Sequence, residues 1–335
     1  MAVPVNRRVT LAARPAGFPK ESNFALVEAP VPEPQPGEAL VRVLWTSVDP
    51  YQRGRMSEAR SYAKPVEVGE VMTAQSAGEV VESRDPRFQP GDKVVGPLGW
   101  QEYAVARGGT LRKTVPGAPL QTALHVLGTN GLTAYFGLFD VAKPKPGDTV
   151  VVSAAAGGVG QVVGQLAKLA GCRAVGIAGG PEKVHELTET FGYDAGIDYK
   201  GEDIAAALKE ACPDGVDVYF DNVGGEITDA VFRRLAIGAR IAICGQISQY
   251  NLEQPELAPR NLGLLIVYRA RVEGFLVSDY AHRFGEAVPR LARWLAEGRV
   301  RYTEDVVEGI ERAPEAFLRM LRGENRGKQL VHVAD

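Results

Sequence analysis

The stretch Val150-Val151-Val152-Ser153-Ala154-Ala155-Ala156-Gly157-Gly158-Val159-Gly160-Gln161-Val162-Val163-Gly164 decides how the chain reads. An apolar, β-branched run passes through small residues into an amphipathic helical pattern. A dinucleotide pyrophosphate needs this order of events: side chains small enough for the backbone to approach, then amides at a helix N-terminus to meet the negative charge. The spacing is A-x-x-G-x-x-G (Ala154, Gly157, Gly160), not G-x-G-x-x-G. A tight turn with close helix–sheet packing would use the same glycines, so the context has to decide.

The context is a long alternation. Thr149 to Val152 is followed by a helical Val159 to Ala170, and Ala174 to Ala178 by a helical Glu182 to Phe191. Then come Ala195 to Ile197, a helical Ile204 to Ala211, a buried-looking Val216 to Phe220 and finally Arg240 to Cys244. Strands alternating with helices of this length imply right-handed crossovers and a parallel sheet, so a nucleotide site is favoured over a mere turn. Before about residue 128 the rhythm differs. Short apolar runs (Ala39 to Leu44, Lys93 to Val95) are punctuated by Pro and Gly, and the proline-dense Pro30 to Gly37 reads as an extended connector. The tail, with Val306-Val307 and Leu330-Val331, again resembles short strands and is expected to return to the first domain.

The end of the second strand bears on which nucleotide binds. An NAD site places an acid about 20 residues on to meet the ribose 2′-hydroxyl. Here that strand ends Ile177-Ala178-Gly179-Gly180 with no carboxylate, and Lys183 follows on the next helix. A 2′-phosphate would meet no repulsion there, which points to NADP(H).

Composition narrows the field further. The 335 residues carry 38 Lys+Arg against 41 Asp+Glu, a net charge of −3, which leaves no footprint for nucleic acid or an anionic membrane. Three scattered cysteines (Cys172, Cys212, Cys244) and four histidines lack zinc-site spacing and argue against a disulfide framework. The most membrane-like window, Val150 to Gly171, is interrupted by Ser153, Gln161, Gln165, Lys168 and glycines. The stretch after Arg7-Arg8 is broken by Arg14, Pro15 and Lys20, so it cannot serve as a secretory apolar region and a cytoplasmic location is expected. His185-Glu186 lacks the second histidine of a zincin, no G-x-S-x-G occurs, and Gly323 to Gln329 falls short of a P-loop. No Tyr-x-x-x-Lys pair occurs either.

The whole chain resembles the medium-chain dehydrogenase/reductase superfamily, and within it the zinc-independent double-bond reductases: prostaglandin, alkenal and curcumin reductases. The resemblance is carried by Val48-Asp49-Pro50-Tyr51-Gln52-Arg53-Gly54-Arg55-Met56, Gly131-Leu132-Thr133-Ala134-Tyr135-Phe136-Gly137-Leu138 and Ser153 to Gly164. It continues through Tyr219 to Gly225, Cys244-Gly245-Gln246-Ile247-Ser248-Gln249-Tyr250-Asn251, Glu273-Gly274-Phe275 and Gly323-Glu324-Asn325. It implies an α/β fold: a Rossmann doubly wound parallel sheet (128–300) beside a β-rich GroES-like substrate domain (1–127 with 301–335), with the active site in the cleft between them. A homodimer formed edge to edge through the Rossmann sheets is implied too, and no metal.

Carried over residue by residue, Gly157, Gly158, Val159 and Gly160 would hold the pyrophosphate, Lys183 and Tyr199 the 2′-phosphate. Asn222, Cys244, Gly245, Ile247, Ser248, Tyr250, Phe275, Leu276, Val277 and Asn325 would line the rest of the nucleotide. Tyr51 and Tyr250 match substrate-pocket positions, and Tyr268 the tyrosine near the nicotinamide ribose hydroxyl. The implied reaction is NADPH-dependent reduction of an enone or enal. Hydride goes to the β-carbon, and the enolate is stabilised by the ribose 2′-hydroxyl and Tyr268. Quinone reduction on the same scaffold, or nucleotide binding without catalysis, stay open as alternatives. Two departures bear on the substrate: Thr129-Asn130 replaces the family's usual Met-Pro, and Gln52 its usual Met, which would make that part of the pocket more polar.

Overall fold

The computed structural model describes residues 5–334. They divide into two compact units, Met1–Leu124 with Glu304–Asp335, and His125–Thr303. The division falls after Thr303 because Gln161 and Gln165 hold the backbone of Thr303 and Arg301 within the second unit, at 2.7–3.2 Å.

The first unit is built on strands β1 (Val5–Leu11), β2 (Phe24–Pro30), β3 (Glu38–Ser47), β4 (Ser76–Ser83), β5 (Lys93–Gly96), β6 (Tyr103–Arg107) and β7 (Arg112–Lys113). β1 and β2 pair antiparallel, and β3 is the central strand of a larger sheet, pairing with both β4 and β6. The short helix α1 (Tyr51–Arg55) follows β3 directly. Further helices are α2 (Thr129–Phe136), α3 (Gly160–Leu169), α4 (Pro181–Glu189), α5 (Ile204–Ala211), α6 (Gly225–Phe232), α7 (Leu262–Tyr268), α8 (Phe284–Ala296) and α9 (Ala313–Leu321).

The second unit holds β8 (Thr149–Ser153), β9 (Arg173–Ala178), β10 (Ala195–Asp198), β11 (Val216–Asp221), β12 (Leu235–Ile243) and β13 (Arg271–Gly274). Their order, β10-β9-β8-β11-β12-β13, and their parallel pairing define a doubly wound Rossmann sheet. β8 is buried from end to end, as a strand covered on both faces must be, which is why it reads as an unbroken apolar run. At the far edge β13 is exposed along its whole length. The last strands, β14 (Glu304–Glu308) and β15 (Lys328–His332), belong to the first unit, where β15 pairs antiparallel with β3. Val306-Val307 and Leu330-Val331 lie in these two strands.

In the first unit, Phe24, Trp100 and Phe317 meet with ring centroids 5.7–6.0 Å apart, an aromatic centre that ties α9 to the strands. Gln52 departs from its expected role. It is fully buried, its amide donating to Ser47 O and Thr73 O at 3.1 and 2.9 Å while its oxygen accepts from Asp49 N at 2.9 Å. Those bonds satisfy its polar atoms inside the unit, so it braces α1 instead of adding polarity to a pocket.

Candidate active site: the carboxyl edge of the parallel sheet

In an open parallel sheet, ligands bind beyond the carboxyl ends of the strands where the strand order reverses, here at β8 between β9 and β11. The chain leaves β8 at Ser153 and turns at Ala154, whose φ of +48° puts a residue with a Cβ in the left-handed region at a cost of about 1–2 kcal/mol. The first glycine of the usual fingerprint would fall one residue later, at Ala155. The other glycines cannot be replaced so easily. A Cβ on Gly160 would lie 2.3 Å from Ala154 O and 2.6 Å from Ala155 Cα, and one on Gly164 would run into the Tyr193 ring at 1.9 Å. Tyr193 also donates to Gly160 O at 2.7 Å. His125, fully buried, bonds Gly158 O through Nε2 at 3.0 Å. The turn is therefore held from behind, as close backbone approach to a pyrophosphate requires, and its residues fit a dinucleotide.

Next along the edge is a carboxylate the sequence reading passed over. Asp221, fully buried at the end of β11, accepts from Ser153 Oγ (3.1 Å), Tyr219 Oη (2.9 Å), Val223 N (2.9 Å) and Gly224 N (2.9 Å). Its other oxygen accepts from Thr228 Oγ1 at 2.7 Å and Gln246 Nε2 at 3.3 Å. Ser153 Oγ in turn accepts from Asn222 N, and Asn222 Nδ2 donates to Ser153 O, at 2.9 and 2.8 Å. One side chain thus ties together the ends of β8 and β11 and the loop after β12. Burial first, and the Asp221 charge second, push the Tyr219 phenol well above its ordinary range.

The loop after β12 completes the edge. Cys244 N donates to Asp221 O, and Ser248 N to Val223 O, at 2.8 and 3.1 Å. Tyr250 Oη accepts from Gln246 N at 3.1 Å. Gly224, at φ +75°, leaves no room for a Cβ, which would stand 2.3 Å from Gln246 Oε1. Phe275 follows β13 and meets the Phe220 ring edge-on at 6.1 Å. The edge thus carries Gly157 to Gly160, Asn222, the Cys244–Tyr250 loop and the Phe275–Val277 segment.

Tyr268 is not brought to it. A connection leading into a parallel strand must return to the amino edge before the strand begins, and α7 ends at Tyr268 just ahead of β13. Its hydroxyl donates to Arg233 O, immediately beyond the far end of α6, at 3.3 Å. α6 runs from Gly225 at the carboxyl edge to Phe232, about 11 Å of helix. Within this unit the direction of the chain therefore puts Tyr268 toward the amino edge, apart from the carboxyl edge that its expected role would use. Tyr51 and Asn325 belong to the first unit. Tyr51 opens α1, and burial, reinforced by Asp49, raises its phenol. Asn325 Nδ2 donates to Gly327 O at 2.7 Å.

At the β9 end, Ala178 pairs with Asp198, and Tyr199 N donates to Ala178 O at 3.1 Å. The Asp198 carboxylate accepts from Gly180 N at 2.7 Å and Lys200 N at 3.0 Å, and the first of these bonds chiefly holds it below the usual carboxylate range. Lys183 stands on the first turns of α4.

A Rossmann sheet and a β-rich unit in one chain are the architecture of a class of nucleotide-dependent oxidoreductases. Residues 7–114 match the model described as the N-terminal domain of oxidoreductase, and residues 158–293 that of zinc-binding dehydrogenase. The chain is 48% identical to the putative NADP-dependent oxidoreductase YfmJ of Bacillus subtilis, over 98% of both chains. It is 44% identical to the NADPH-dependent curcumin reductase of Escherichia coli, over 98% of this chain and 97% of that protein. The crystal structure of CurA from Vibrio vulnificus in complex with NADPH superposes with a TM-score of 0.94 at 44% identity, covering 98% of this chain and 99% of that one. The chain belongs to the zinc-independent double-bond reductase group of the medium-chain dehydrogenase/reductase superfamily, with its GroES-like and Rossmann domains. Among the described residues, no group of three or more His, Cys, Asp or Glu is placed to hold a metal ion.

Proposed function

We propose that the protein uses NADPH to reduce the C=C bond of α,β-unsaturated ketones and aldehydes. Reductases of that kind are among its relatives, and one structural observation carries the cofactor: β9 ends in Gly179-Gly180 with no acid, facing Tyr199 and Lys200. When bound, NADPH supplies a hydride to the β-carbon of the acceptor. Substrate contact is assigned to Tyr51 and nucleotide contact to the carboxyl edge of the parallel sheet.

The chain's own contribution is to bind, orient and donate hydrogen bonds. Gly157 to Gly160 present amides to the pyrophosphate, and Asn222 and the Cys244–Tyr250 loop, locked by Asp221, fix the nicotinamide half. As hydride arrives, charge develops on the substrate carbonyl oxygen, and one well-placed donor there is worth about 2.7–4 kcal/mol. Tyr250 is the tyrosine of the loop after β12, and a phenol can accept and donate at once. We assign it the role that the resemblance gives to Tyr268. The test is NADPH oxidation with a panel of enones, enals and quinones, comparing Tyr250→Phe with Tyr268→Phe. Faster turnover of enones than quinones is expected, with kcat falling at least tenfold in Tyr250→Phe alone. A loss confined to Tyr268→Phe returns the role to Tyr268, and oxidation by quinones alone overturns the substrate class.

The same proposal includes a cytoplasmic homodimer. Its support is the exposed β13 edge, with Val272 at 39% exposure, beside α7, where Leu262, Ile266 and Val267 are 60–80% exposed. An unpaired edge flanked by apolar side chains is a template for a second copy of itself. Light scattering is expected to give twice the chain mass, and Val272→Lys with Ile266→Lys to give the monomer. Fractionation of cells tests the location.

A further inference from the structure

We propose that Lys200 is a second cation for the 2′-phosphate and that, with Tyr199, it also fills the space a side chain on Gly179 would need. The proposal rests on the NADPH reading above and deepens it. The register that pairs Asp198 with Ala178 places the next two residues of β10's strand against the Gly179-Gly180 turn. A Cβ built on Gly179 would meet Tyr199 Cε1 at 2.8 Å and Lys200 Cε at 3.0 Å. An aspartate or glutamate there would have to push both away. The residues that crowd the place of an NAD site's acid thus stand where the extra phosphate of NADPH belongs.

Charge supports the same placement. A phosphate monoester carries nearly two negative charges at neutral pH, more than Lys183 alone can offset. Lys200 is exposed, its ammonium 6.0 Å from the Tyr199 ring centroid, and it forms no salt bridge among the described residues. The neighbouring acid, Asp198, is directed at the amides of Gly180 and Lys200. Tyr199, 40% exposed, offers a phenol beside that ammonium.

Calorimetry with 2′,5′-ADP and 5′-AMP as probes tests this on the intact protein without turnover. The wild type is expected to prefer 2′,5′-ADP. Lys200→Ala is expected to weaken 2′,5′-ADP about tenfold, as befits a lost charged hydrogen bond, while leaving 5′-AMP unchanged. Lys200→Arg is expected to restore most of the loss. Unchanged 2′,5′-ADP binding in Lys200→Ala, or equal losses for both probes, overturns the assignment. A wild type that does not distinguish the probes overturns the NADPH reading itself. Gly179→Ala checks the second half: 2′,5′-ADP binding is expected to fall as Tyr199 and Lys200 are displaced, and an unaffected affinity refutes the shared role.

Discussion

The ends of β11 and β10 each carry an aspartate turned toward backbone amides, and the two do different work. Asp221 is fully buried, with four side-chain donors and two amides converging on it from β8, β11, α6 and the loops after β11 and β12. Asp198 is partly exposed and clamps one turn through Gly180 N and Lys200 N. A buried carboxylate persists only where its lone pairs are satisfied, so Asp221 can exist only with the loops in place, and the loops stay in place only with Asp221. Water can substitute for Asp198. On the proposed assignment, the nicotinamide half of the site is thus held by the core of the fold, and the phosphate-selecting corner by its surface.

The largest expected effect follows from that contrast. Asp221→Ala strands the donors that converge on a fully buried carboxylate, at about 1–3 kcal/mol for each left unpaired. A total near 4 kcal/mol or more is expected, read as the shift of the urea midpoint, together with loss of binding to NADPH and 5′-AMP alike. Asp221→Asn keeps one acceptor but turns an amide toward donors, and is expected to fall between alanine and wild type. A midpoint unchanged in both variants would show that the loops hold themselves.

Much of the second unit was legible because parallel strands buried on both faces write themselves as apolar runs, and α3 as a periodic one. The first unit's β-rich character was visible in its Pro and Gly punctuation, but not its pairings, since antiparallel partners such as β3 and β15 are almost 300 residues apart. The tight turn from Ala154 to Gly160 was legible from its small residues and the strand–helix alternation around them. Asp221 was missed because an acid closing an apolar strand looks like its solvent-facing end, and only β8 lying beside it shows otherwise. Lys200 was missed for a similar reason: its importance comes from the register of β10 on β9. The edge on which Tyr268 lies was not legible, because a motif gives a residue's place along the chain, whereas strand direction sets the edge.

Asp198→Asn should be the milder counterpart. Its depressed carboxylate contributes stability above its unfolded value near pH 4, and that contribution is lost as pH falls below it. The variant should lack that acid slope while its stability at pH 7 stays within about 0.5 kcal/mol, the usual range for a surface substitution. Affinity for 2′,5′-ADP is expected to rise, because a negative charge has been taken from beside the phosphate. A weakened affinity would mean that the clamp on Gly180 outweighs the repulsion, and would move Asp198 closer in kind to Asp221.

The finest probe of the contrast is Cys244, the residue whose amide bonds Asp221 O. Burial, then the Asp221 charge, pushes its thiol up to about 12, and burial takes Cys172 and Cys212 to about 11. The sign is that of an acid raised by folding. Stability is whole below the unfolded thiol value near 8.5, and it declines as pH climbs from there toward the folded values. An active site that handles electrophilic alkenes is protected by the same effect, since the thiolate is the reactive form. Native protein is therefore expected to resist iodoacetamide at pH 7 while the urea-unfolded chain takes up three equivalents. In Asp221→Asn, under conditions where the fold persists, Cys244 should alkylate faster at pH 9 than in the wild type, with Cys172 and Cys212 unchanged. Asp198→Asn should alter none of the three. Equal acceleration at all three sites would mean that Asp221 acts on the thiol by loosening the whole fold, and the distinction between a buried carboxylate and a surface one would then rest on stability alone.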